Sequence, residues 1–85
     1  EVIAVGGHSP GGLCYYSSAD RLLIAGDVLF AGSVGRSDLP GGNARVLIEG
    51  IRRKLLCLPD EVKVIPGHGP ATTIGEEKRY NPFLN

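Results

Sequence analysis

Three short apolar runs in this chain stop in the same way. "VIAVGGH" (residues 2–8), "LLIAGD" (22–27) and "VKVIPGH" (62–68) each reach a glycine and then a polar side chain: His8, Asp27 and His68. Runs of four or five residues rich in Val and Ile, closed by glycine, read as β-strands. Glycine lets the backbone turn sharply or another group approach closely, and the prolines that follow both histidines, Pro10 and Pro70, stiffen the corners. Both histidines of the chain sit in the same phrase, Gly-His, a small residue, then Pro. The chain must therefore fold so that several strands end on tight corners carrying imidazole or carboxylate groups.

The remaining segments complete an α/β pattern. "LCYYSS" (13–18) reads as a strand, joined through a polar hairpin turn at 17–20 to a third strand within "RLLIAGDVLF" (21–30). "LLIAG" does not alternate, which predicts a strand covered on both faces. Residues 31–42 are Gly-rich and read as a long loop, of the kind that is usually functional in a compact domain. A helix is expected over about 43–58, capped by Asn43, with Leu47, Ile51, Leu55 and Leu58 on one face and Arg52, Arg53 and Lys54 near its C-terminal end. "EVKVIP" (61–66) supplies a fourth strand. Thr73 and Glu76 then make a T-x-x-E capping box for a short helix stopped at Asn81-Pro82. The expected architecture is a mainly antiparallel or mixed sheet of about four strands, one main helix and a short C-terminal helix.

Size and charge limit what such a chain does. Eighty-five residues make at most one small domain. Nine acidic and nine basic residues cancel, which argues against nucleic acid or a membrane surface as partner. No apolar run reaches a membrane-spanning length of about 20 residues. The chain starts with Glu rather than Met, and the expectation is a single partial domain, 1–85, cut from something longer. Cys14 and Cys57 are too few for a disulfide framework and form no CxxC pair; both are expected as buried free thiols, with a catalytic or metal-binding cysteine as the alternative, and they suit a reducing, cytoplasmic compartment.

Taken singly, a histidine in a Gly/Pro turn is ordinarily a surface loop residue, and an aspartate after glycine a turn or cap residue. Their shared strand-end position makes His8, Asp27 and His68 a candidate metal set. Imidazole nitrogen and carboxylate oxygen suit zinc, iron or manganese. Three ligands make an open site, catalytic or completed from elsewhere, rather than a closed structural one.

"GGHSPGG" (6–12), "IAGDVLFAGSVGRSDLPGG" (24–42) and "VIPGHGPATTIGEEKRYNPFL" (64–84), in that order, resemble the C-terminal half of metallo-β-lactamase-fold hydrolases, and within them the glyoxalase II-like (hydroxyacylglutathione hydrolase-like) subgroup. The resemblance covers nearly the whole chain. It implies half of an αβ/βα sandwich, with His8 as a histidine ligand, Asp27 as the aspartate that bridges two metal ions, and His68 as the last ligand of the second ion. It implies two divalent metal ions in the intact parent, zinc first, with iron or manganese as alternatives, and a small acyl or thioester substrate. Arg36 and Asp38, in "GRSD", match a loop at the mouth of the family's site, where a substrate-binding or a structural role is implied. The family's H-x-H-x-D-H motif is absent, as is the glutathione-contacting C-terminal extension of glyoxalase II. The chain alone is therefore expected to be inactive, and to form a homodimer or pair with the missing N-terminal half. Two alternatives stand beside this one. Persulfide dioxygenases share the fold and the "GR-D" loop but use a single iron, and "GHGP" differs from their corresponding segment. The other alternative is a stand-alone structural or partner-binding module without catalysis.

Overall fold

A computed structural model describes residues 1–6, 12–36 and 43–85. The strands are β1 (Val2–Ala4), β2 (Leu13–Ser17), β3 (Leu22–Gly26), β4 (Leu29–Phe30), β5 (Ser33–Val34), β6 (Lys63–Pro66) and β7 (Thr72–Thr73), with helices α1 (Ala44–Lys54) and α2 (Ile74–Tyr80). Five of the strands form one mixed sheet in the order β1-β2-β3-β6-β7, and β4 and β5 pair as a separate two-stranded hairpin. The α/β class and the mixed sheet stand as the sequence implies, with one strand more in the main sheet. The additional strand, β7, is the dipeptide Thr72–Thr73, too short to show a period. The segment expected as loop from residue 31 also begins as structure, since Ser33 and Val34 pair with Phe30 and Leu29.

Pairing sorts the side chains into two faces. On one face Ile3 lies opposite Cys14, and Tyr16, Leu23 and Val64 lie in register across β2, β3 and β6. This is the packed face, where Cys14, Leu23 and Val64 are fully buried. α1 closes over it with Leu47 and Ile51, followed by Leu55 at its C-cap. The other face carries the row Val2, Tyr15, Ile24 and Ile65, again in register across four strands. Here Val2, Tyr15 and Ile24 are exposed. The expectation that β3 is covered on both faces therefore fails within this chain: Leu23 and Ala25 are buried and Ile24 between them is open.

The helix ends follow local chemistry. The Asn43 side chain accepts a hydrogen bond from the Val46 N–H, and Thr73 does the same for Glu76, so each satisfies one of the unpaired donors of a first turn. α1 stops at Lys54 rather than running to 58, because Leu55 is the C-cap and the N–H of Leu56 also reaches back to the Ile51 carbonyl. Leu58 still packs at the core margin. Cys14 is buried as expected, but Cys57 is exposed, because it follows the early end of the helix and points away from the core. No helix among the described residues is long and apolar enough to cross a membrane.

Candidate metal centre

Strand direction decides where the candidate ligands fall. β3 and β6 are neighbours and run parallel, so their C-terminal ends share one edge of the sheet. β1 is antiparallel to β2, which is antiparallel to β3, so β1 points the same way and ends at the same edge. Asp27 directly follows β3, and His68 comes two residues after β6. His8, which follows β1 in sequence, lies outside the described residues, as does Asp38.

The β3–β6 register slips between Ile24 and Gly26, so β3 carries one residue more than its partner there. Gly26 absorbs the bulge with φ of +53°, in the left-handed region that favours glycine. Its carbonyl then accepts the Gly67 N–H at 2.7 Å, which holds the two corners together. Gly67 is needed for a different reason: a Cβ on it would stand 2.7 Å from Asp27 Oδ1. The carboxylate thus occupies space that any other residue at 67 would contest.

Asp27 Oδ1 and His68 Nε2 lie 3.8 Å apart, both side chains well exposed to the edge. Zinc bonds of about 2.0–2.1 Å to nitrogen and about 2.0–2.2 Å to oxygen together reach roughly 4.3 Å at most, so a single ion can span this pair. The donor set, one carboxylate oxygen and one imidazole nitrogen, fits zinc, iron or manganese. Among the described residues no third His, Cys, Asp or Glu joins them. Cys14 is not a thiolate donor at neutral pH, since burial pushes its thiol up to about 11.

Phe30 was not singled out by the sequence, yet its ring stacks on His68 with centroids 4.7 Å apart and planes 25° from parallel. It stands three residues after Asp27, inside the same apolar run, and nothing in that run distinguishes it from a core residue. Asp27, Phe30, Val34, Arg36, His68 and Pro70 border a cavity of about 430 Å³. Its walls are mostly apolar, and Asp27 and His68 are among the polar groups that line it. Arg36 also borders this cavity.

Residues 1–71 match the metallo-beta-lactamase superfamily. The chain belongs to that superfamily. It is 48% identical over 85 residues to the hydroxyacylglutathione hydrolase GloC of Haemophilus influenzae, covering 100% of this chain and 40% of that one. To the probable metallo-hydrolase YqgX of Bacillus subtilis it is 49% identical over 85 residues, with the same coverage. The crystal structure of TTHA1623, in a di-iron-bound form, superposes with a TM-score of 0.94 at 50% identity, covering 99% of this chain and 42% of that one. The chain thus spans about 40% of the length of these curated relatives.

Proposed function

We propose that this chain carries part of the centre of a metal-dependent acyl hydrolase of the hydroxyacylglutathione hydrolase-like kind, acting on thioesters or related small acyl compounds. The observation that carries the reading is the convergence of Asp27 and His68, from the ends of two adjacent parallel strands, in the wall of a mostly apolar cavity. His8, Asp27 and His68 are the ligands in this reading, for a pair of divalent ions. The likeness to GloC supports the substrate class, and the di-iron form of TTHA1623 supports iron beside zinc. Bound metal of this type lowers the pKa of a water to roughly 7 and polarises an acyl carbonyl.

The chain's own residues divide the remaining work. Asp27 and His68 supply a carboxylate oxygen and an imidazole nitrogen 3.8 Å apart. Phe30 covers one face of the imidazole and limits its rotation. The apolar wall of Phe30, Val34 and Pro70 seats the acyl portion and keeps bulk water from that side. Arg36, which borders the cavity, is assigned to the substrate, and the sequence resemblance extends that role to Asp38.

In this reading the 85 residues form a single partial domain and turn over no substrate alone, because the ligands expected from the H-x-H-x-D-H segment are not among them. The test is hydrolysis of S-lactoylglutathione and of a generic thioester with added zinc, iron or manganese. The chain is assayed alone and joined to the remaining portion of GloC. Turnover in the joined protein that disappears with Asp27→Ala supports the reading. A folded joined protein without turnover overturns the hydrolase assignment, and efficient metal-dependent turnover by the isolated chain overturns its inactivity.

A further inference from the structure

Glu77 is a buried carboxylate that the site itself does not use. It is 4% exposed, although it lies on the short surface helix α2 beside the exposed Glu76 and Lys78. Its Oε1 accepts the Gly32 N–H at 2.8 Å and the Asn81 Nδ2–H at 2.8 Å. Its Oε2 accepts the Thr72 hydroxyl at 2.7 Å. Asn81, fully buried, extends the grip by donating to the Ser33 carbonyl at 3.1 Å. One carboxylate therefore holds the turn of the β4–β5 hairpin on one side and the strand after His68 on the other. Gly32 is two residues beyond Phe30, and Thr72 is four beyond His68. These are the two segments whose aromatic rings stack.

Burying a carboxylate is costly unless its lone pairs are filled, and an apolar side chain of similar volume is often as good for stability alone. What an apolar residue cannot do is hold Gly32 and Thr72 at a set distance. We infer that Glu77 is a positioning residue: it locks the β4–β5 hairpin to the 67–72 segment, and so fixes Phe30 against His68 and the width of the cavity between them. The inference rests on the proposed site being there to be positioned, but its readout needs neither metal nor turnover.

The ring face of Phe30 shifts the imidazole proton resonances of His68 upfield in the metal-free chain, and Phe30→Leu defines the value without the ring. Glu77→Leu fills the volume without the ties, and is expected to move the His68 resonances to the Phe30→Leu value and to speed hydrogen exchange at the Gly32 amide. Glu77→Gln retains an acceptor for Gly32 and Asn81, with its amide donating to the Thr72 hydroxyl, and is expected to preserve the wild-type shift. A folded Glu77→Leu protein with the wild-type His68 shift overturns the inference. So does a Gln variant that loses the shift as fully as Leu, which would assign the effect to charge rather than to the hydrogen bonds. Should Glu77→Leu not fold, Glu77→Asp decides: it keeps the charge but withdraws the acceptor by one methylene, and an unchanged His68 shift in it overturns the inference. Failure of the protein joined to the rest of the fold to bind metal at Asp27 and His68 would overturn the proposed function and leave these shifts as they are.

Discussion

At residue 67 a single methyl group separates stability from function. The Cβ of an alanine there would meet Asp27 Oδ1 at 2.7 Å, with the Gly26 backbone at 3.3 Å. The carboxylate is the mobile end of an exposed side chain and can swing aside at little cost, whereas the backbone needs to give by a few tenths of an ångström. Gly67→Ala is therefore expected to lower folding stability by less than about 1 kcal/mol, well under what a clash in a packed core costs. The displaced carboxylate no longer faces His68. Affinity for zinc or iron, measured by competition with a chelator in the protein joined to the rest of the fold, should fall about 10- to 100-fold, the range typical of losing a group that orients a metal ligand. An unchanged affinity with unchanged stability would mean that Asp27 does not ligate from this position.

The short helix α2 is held as an element by charge at its outer side and by Glu77 within. Asp60, in the turn between α1 and β6, accepts from Lys78 Nζ at 2.8 Å and from Arg79 at 3.1 Å, and its carbonyl receives the Gly75 N–H. The Lys78 hydrogen bond and charge, with Arg79 adding to them, hold the Asp60 carboxyl below its ordinary value of 3.8. A carboxyl more acidic in the folded than in the unfolded chain stabilises the fold above the unfolded value, and that contribution disappears as pH falls through the folded value. The urea midpoint should thus decline on acidification below about pH 4, and Asp60→Asn should flatten that part of the profile while lowering the midpoint slightly at pH 7. Exposed pairs of this kind are weak and screened by salt, so 1 M salt should mimic the substitution. An acid limb identical in wild type and Asp60→Asn would remove Asp60 from the account of α2.

For the molecule as a whole, the sheet has one finished face and one open one. Val2, Tyr15 and Ile24 stand in register and exposed, with Leu13 beside them, on the side that neither helix covers. Apolar surface of a few hundred Å² is at the limit of what soluble monomers tolerate, and at about 25 cal/mol per Å² its burial is worth several kcal/mol. The proposal is that this face is covered by a second sheet: the remainder of the fold when it is joined, or a second copy when the chain is alone. Sedimentation equilibrium over a dilution series should show a dimer or larger species for the isolated chain. Tyr15→Lys with Ile24→Lys should shift it to monomer, with its far-ultraviolet circular dichroism retained. A wild-type chain that stays monomeric at high concentration, well folded, would favour a stand-alone module.

What the sequence determined is what neighbouring residues settle among themselves. Asn43 and Thr73 cap their helices because each side chain reaches an N–H three residues on. Leu47, Ile51 and Leu55 face the core because the helical period places them together. Asp27 and His68 were legible as candidates because glycine and a strand end mark each of them locally. Contacts between distant parts of the chain were not legible. The parallel pairing of β3 with β6, which brings Asp27 to His68, joins segments about 40 residues apart. Glu77 meets Gly32 across 45 positions, and from the sequence it reads as one more acidic residue in the first turn of a helix. Phe30 looks like any strand residue until its hairpin folds back over His68. The same holds for the early end of α1, which left Cys57 in solvent, and for β3, whose continuous apolar run states that both faces avoid water without saying what covers the second. Periodicity and capping act within a turn or a strand. Which strand edges meet, and which side chains close on a site, depends on burying one face of the sheet, and only the tertiary structure decides that.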